Sequence, residues 1–458
     1  MKTGREALRI DSGMAHDLVT SADIPVEGEK LETDKLGRIR TVCLGVCIVG
    51  GIFSLLALFG AFGREMQGSY SFSWLYGFFF FVTLALGGCF WTLLHNVSNS
   101  GWGVSVRRVM ENVGYVFPWM IIPVLPILLI PGVQEFLYEW MEKHRVAKEV
   151  AESAKEGLHH GETADHLLHG KYWYLNINFW YFRVVAYFAL LGFVIHFLRK
   201  LSIDQDTDPE PGTSRLKRAR FHSCWGVPVF AVVLTFLSID LVKGLDYKWF
   251  STMWGVYVFA GSALNSMAVI ILVTIVLRRM GYMRNVVGPE HDHLMGKLAF
   301  AFTVFWAYIS FDQYFLYWYA NITEETRYYV LRNTAGWNYI SIILVFGHFV
   351  VPFLLLIRQD FKRRNGYMLI VAIYLLVMHM IDVYHMIIPE RGPSVTKILH
   401  PGDAEKWQLW IKSSGLGDIV AFITVGCFFV FILLRNLSSA ALYPHRDPRI
   451  LESANVHN

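Results

Sequence analysis

"TVCLGVCIVGGIFSLLALFGAF", Thr41 to Phe62, carries no charged side chain. Wound as an α-helix at about 1.5 Å per residue, it is long enough to cross a hydrocarbon layer of about 30 Å. Runs of this kind recur as far as Leu434. We count ten, at roughly 41–62, 71–95, 106–131, 172–198, 216–240, 252–279, 294–320, 336–357, 366–389 and 410–435. The predicted fold is an all-α polytopic membrane protein with about ten transmembrane helices. Pro118, Pro123 and Pro126 fall inside the third run. Membrane helices tolerate such residues, because neighbouring helices re-satisfy the freed backbone groups.

Composition agrees. The 458 residues are 54% hydrophobic and 17% charged, against about 25% charged in a soluble domain. The net charge of +4 is small and forms no nucleic-acid patch. Cys43, Cys47, Cys89, Cys224 and Cys427 all lie in or beside apolar runs and form no CxxC pattern. They are read as buried hydrophobes, not as an iron–sulfur, haem-attachment or zinc framework.

Residues 1–37 are polar and lack the apolar core of a signal peptide, so the first run is expected to remain a membrane helix. The expected organisation is a cytoplasmic tail (1–37), a ten-helix membrane domain (38–436) and a cytoplasmic tail (437–458). Both tails are expected to be ordered only by partners. Arg and Lys concentrate on the side of Arg38, Arg40, Arg107, Arg108, Arg199, Lys200, Arg215, Arg278, Arg279 and Arg363. That excess places both termini in the cytoplasm, and the even span count agrees. The stretch "DQDTDPEPGTSR", residues 204–215, reads as a solvated inner linker.

The longest outer segment, 132–171, spaces Phe136, Trp140, Ala147, Ala151 and Ala154 along one helical side. It is expected to lie as an amphipathic helix on the membrane or against another subunit, with Trp140 at that interface. His159, His160, His166 and His169 follow it without a ligand pattern, so no metal site is expected.

Ionisable residues within spans are expensive and mark function by default. Asp312 lies about 12 Å in from the outer end of span seven, Asp382 about 10 Å below Pro389, and Asp418 at similar depth in span ten. His348 and His379 fall near mid-membrane and His385 nearer the outer side; Arg183 and Asn265 are also deep. In "HMIDVYH", His379, Asp382 and His385 recur every three residues and share a helical face. Such a row suits a proton relay. It equally suits a structural hydrogen-bond network, and His348 with His379 suits axial ligation of a b-type haem. In "GWGVSVRRVMENV", Arg107 and Arg108 stand one turn before Glu111. That group reads as a topology anchor or as the inner mouth of a proton path, with His95 nearby.

"FDQYFLYWYANITEET", Phe311 to Thr326, passes from membrane helix to a water-facing loop. Asp312 is expected to find a partner in spans eight and nine, beginning with His348 and Asp382. Thr323 is a capping candidate. Glu324 and Glu325, with Arg327, are candidates for ion pairing within the chain or at a subunit interface.

Several stretches together resemble one family: "FTVFWAYISFDQYFLYWYANITEET", "LALGGCFWTLLHNVSNSGWGVSVRRVMENV", "YLNINFWYFR", "HFVVPFLLLIRQDFKR" and "HMIDVYHMIIP". They are similar to the NrfD-like membrane subunits, which include the polysulfide reductase membrane subunit and the F subunit of bacterial alternative complex III. The similarity runs from about residue 38 to 436. It implies two four-helix bundles plus flanking helices in a bacterial inner membrane. It also implies membership of a quinol:cytochrome c (or other high-potential acceptor) oxidoreductase. The implied partners are an NrfD-like paralogue, an iron–sulfur/molybdopterin-like subunit, multihaem and monohaem cytochromes c, and by extension a terminal oxidase. Haem c and iron–sulfur clusters then belong to those partners. This chain would hold no cofactor, would touch lipid and potentially menaquinone or another quinone, and would supply a proton path. Asp312 departs from the family, which commonly has Ser or Ala there. Read without the resemblance, ten spans with buried charges also fit a secondary transporter or a b-haem membrane cytochrome.

Overall fold

In a computed structural model of the chain, each of the ten runs overlaps one helical span over most of its described residues. The structure describes residues 18–145, 168, 170–208, 212–334, 336–399 and 415–457, the side chains of 33–35, 324 and 396–399 excepted. Ala147, Ala151, Ala154 and the four histidines from His159 to His169 lie outside the described residues. The spans are α1 (Leu36–Leu58), α2 (Arg64–Ser98), α3 (Val104–Leu129), α4 (Ile177–Asp206), α5 (Ser214–Leu245), α6 (Trp254–Arg279), α7 (Pro289–Ala320), α8 (Trp337–Ile357), α9 (Asn365–Val395) and α10 (Gly415–Ser438). Among the described residues the only β-pairing is an isolated bridge, Lys30 with Ala441. The chain is an all-α polytopic membrane protein.

The helices sort into two rings of four. In the first, α2 packs on α3 and α5, and α4 closes the ring between them. In the second, α6 packs on α7 and α9, and α8 closes it. The rings join where α2 meets α6, while α1 and α10 pair with each other and lean on α2. The two central helices are therefore deeply covered: 89% of the most apolar stretch of α2 and of α6 is buried, against 22% for α1 and α8.

Small residues permit that crossing. A β-carbon on Gly87 would stand 2.1 Å from Ser262 O on α6, and one on Gly88 would stand 2.5 Å from Gly114 N on α3. Without a hydrophobic force between helices in lipid, such close backbone approach supplies the packing energy. Helix ends follow local chemistry. Asn99 and Asn321 take the left-handed conformation, with φ of 51° and 48°, and stop α2 and α7. In α3 the chain passes through a 3-10 turn at Phe117–Met120, which contains Pro118, before resuming as Ile121–Leu129.

The described parts of the two tails, 18–37 and 437–457, pack together on one face, which for those residues corrects the expectation of tails ordered only by partners. Leu442 donates its backbone N–H to Glu29 O (2.8 Å), and Val19 and Asn455 pair reciprocally. Asp447 is buried against Arg107 (2.9 Å), and Arg108 binds Ala441 O (3.2 Å). Burial pushes the Tyr443 hydroxyl up to about 12. The sequence hid this because polar tail residues become buried once cationic side chains at helix ends need partners.

On the opposite face, Trp140 is buried inside the chain, 1% exposed, instead of lying at a lipid or subunit surface. Its segment folds back, and Phe136 covers Gly68 of α2. An apolar stripe on a short helix fits the chain's own core as well as it fits a membrane surface. The "ITEET" end is also not a loop. Thr323–Arg332 is a helix with Ile322 at its N-cap, so Thr323 caps nothing.

Candidate functional site: the polar core of the second bundle

Asp382 is the centre of the site. It is 1% exposed, on α9, in the ring of α6 to α9. The Tyr257 hydroxyl donates to one carboxylate oxygen and Trp306 Nε1 to the other (3.3 Å). No cation faces it among the described residues; its other near neighbour is His379 Nδ1, 3.9 Å away. An ionised buried carboxylate ordinarily requires a counter-charge. This one has two neutral donors and an imidazole.

The His379 tautomer follows from the donors. Thr83 Oγ1 of α2 donates to Phe80 O (2.7 Å), so its proton is committed. His379 Nε2, 2.9 Å from the same oxygen, must then be the donor. Nδ1 is left bare, without a hydrogen-bond partner, on the side of Asp382. A small approach would let a protonated Asp382 donate to it.

His348 stands behind Trp306, the ring centroids 4.0 Å apart, fully buried, with neither ring nitrogen hydrogen-bonded. Its segment, Leu344–Val350, is π-helical. The cause is local: Pro352 lacks the N–H that would bond to His348 O in an α-helix. Single π turns of this kind recur at functional sites.

A cavity of about 830 Å³ opens between α6, α7, α8 and the helix Thr323–Arg332. Its lining is largely aromatic, and Tyr257 and Trp306 belong to it. The two donors of Asp382 are thus also cavity wall. His385 lines the mouth, with Ser341 Oγ 3.3 Å from its Nε2. In the other direction α6 carries unpartnered side-chain oxygens at Ser262, Asn265 and Thr274. They lead toward the Arg278–Asp292 pair (2.7 Å) on the face of the chain ends.

The structure places His348, His379, Asp382 and His385 in one bundle; the "HMIDVYH" spacing joined only the last three, and His348 comes in from α8. The other candidates lie elsewhere. Arg183 pairs with Asp240 in the first bundle: Nε to Oδ2 2.8 Å and Nη2 to Oδ1 2.7 Å, with Tyr187 donating to the same carboxylate. Asp418 sits in the first turn of α10, not deep in it, and is held by Arg391 at 2.9 and 3.0 Å. Glu111 does pair with Arg107 (3.3 Å) and Arg108 (3.4 Å) at the chain-end face, where His95 is also buried. Arg327 reaches Asp246 at 3.6 Å, and the Glu324 side chain is outside the described residues. Asp312 meets neither His348 nor Asp382; it is half-buried on the outside of α7.

Sequence reading missed Tyr257, Trp306, Asp240 and Arg391. One signal was legible for the π turn: the proline four residues after His348.

Fold and site define a class: a polytopic membrane protein of two four-helix bundles, one of which holds buried acid–base groups beside an apolar cavity. No protein-family model matches the sequence, and no curated protein does.

Proposed function

We propose that this chain is the integral membrane subunit of a quinol-oxidising respiratory complex of the alternative complex III kind, in the bacterial cytoplasmic membrane. In this reading it scaffolds peripheral redox subunits and carries protons through its second bundle. The observation that carries the reading is Asp382: a buried carboxylate without a cation, bridged by Tyr257 to a quinone-sized aromatic cavity and backed by the bare nitrogen of His379. Quinol oxidation releases two electrons and two protons. Asp382 suits the protons, since with neutral donors around it both protonation states are within reach. The described residues bring acid–base groups together, and in this reading the electron carriers belong to the partner subunits. A quinol head in the cavity would meet Tyr257, Gln313, Arg332, Asn338, Ser341 and His385 as polar lining, with Trp254 and Phe349 among the aromatic walls.

The test is Asp382→Asn in the purified complex. Expected is a fall in quinol:acceptor turnover of about tenfold or more, with subunit and haem content unchanged. Unaltered turnover and proton release would leave Asp382 a packing residue and remove the proposal.

A further inference from the structure

The second bundle leaves one acid of "FDQYFLYWYANITEET" unused. Asp312 is half-buried on α7 and makes no hydrogen bond or ion pair among the described residues. The next basic residue along the chain, Arg327, is taken by Asp246. Tyr308, Phe315 and Tyr319 stand at i−4, i+3 and i+7 from Asp312 and share its helical face. They are 63%, 41% and 77% exposed. Only 33% of the most apolar stretch of α7 is buried, against 89% for its neighbour α6.

Bare lipid is a poor neighbour for this face. Trp318 and Tyr319, at the end of α7, are strongly exposed aromatics of the kind that mark a membrane–water boundary. Asp312 lies about 9 Å beneath Trp318 along the helix. Lys and Arg can bridge such a depth with a long stem; an aspartate side chain cannot. Acyl chains offer no hydrogen-bond donor, and a carboxylate only accepts. Intramembrane acids pair with another charged side chain or with protein donors.

We infer that this face of α7 seats a transmembrane helix of another subunit, which presents an Arg or Lys to Asp312 while its apolar side chains pack against Tyr308, Phe315 and Tyr319. The cation gives the site its complementarity, and the three rings supply the contact area. This inference does not rest on the respiratory reading, although Tyr308 also belongs to the cavity wall, so a helix seated here would border the cavity.

A photo-cross-linking amino acid at Phe315 tests it, in native membranes holding the tagged full chain. Val49 of α1 is the comparator: it is 70% exposed, with no charged residue within a turn. The expected product at Phe315 is an adduct with a different integral membrane polypeptide, at least about tenfold above Val49. Its cross-linked peptide should carry Arg or Lys inside an apolar segment. Asp312→Lys should lower the yield about tenfold and Asp312→Asn several-fold, both variants eluting as monodisperse protein. Adducts confined to lipid, to a second copy of this chain, or to residues 146–167 or 400–414 of the same chain would overturn the inference. So would yields unchanged by Asp312→Lys. Where the lysine variant does not fold, an unchanged yield in Asp312→Asn decides against it.

Discussion

Asp240 and Asp382 are counterparts. Each lies on the last helix of its four-helix ring, toward the face opposite the chain ends, and each is almost fully buried. Their surroundings differ in kind. Asp240 receives the Arg183 guanidinium on two oxygens, the Tyr187 hydroxyl on one of them, and the Arg183 charge is further covered by the Tyr174 ring at 3.9 Å. Asp382 receives a phenol and an indole. The first arrangement is a buried ion pair whose two partners compensate each other. The second offers no counter-charge among the described residues, only the two neutral donors and the His379 ring at 3.9 Å. One bundle holds an ion pair and the other a carboxylate among neutral donors, although both began as an aspartate on an apolar helix.

Breaking the ion pair should have the largest effect. Arg183→Met leaves Asp240 buried and unpaired, and a destabilisation of about 3–5 kcal/mol is expected, read as a large loss of assembled complex and of thermal midpoint in detergent. Turnover per assembled complex should hold, and adding Asp240→Leu should recover much of the stability. A lasting loss of turnover in the double variant would show that the first bundle also moves protons, and the contrast between the two aspartates would collapse.

Tyr257→Phe sharpens the other side. It removes one donor from Asp382 and one polar group from the cavity wall. A hydrogen bond to a charged acceptor is worth about 1.5–3 kcal/mol, so a fall in turnover of about tenfold or more is expected. The pH profile should shift and assembly should be little changed. An effect on assembly alone would give Tyr257 a structural role as well.

The smallest effect concerns the cap made by the two tails. Burial holds His445 below its ordinary value of 6.5, and this outweighs the nearby Asp206 carboxylate. A histidine lowered in the folded state stabilises fully above pH 6.5 and progressively less as pH falls through that value toward its folded pKa. Proteolysis of the 439–457 segment should therefore quicken modestly below about pH 6.5, and His445→Gln should flatten that dependence.

Ten apolar runs placed the ten spans, because a backbone in hydrocarbon must satisfy itself within its own segment. Side-chain spacing within one helix was equally legible. Glu111 meets Arg107 and Arg108, and His379 lies beside Asp382, because i,i+3 and i,i+4 neighbours are set by the helix alone. The partners across helices were not legible. Nothing along the chain links Arg183 to Asp240, Asp418 to Arg391 or Asp382 to Tyr257, and Asp312 was assigned to the wrong side of its helix. An acid in an apolar run announces that a partner is needed without naming it.

The sequence by itself determined that this protein crosses a membrane about ten times and carries charge where charge is costly. Tertiary structure alone decided which carboxylate meets a guanidinium, which meets only neutral donors and which faces outward. Those distinctions depend on how far each helix rotates about its axis, and that rotation is set by packing against all its neighbours at once, as where Gly87 and Gly88 bring α2 against α6 and α3.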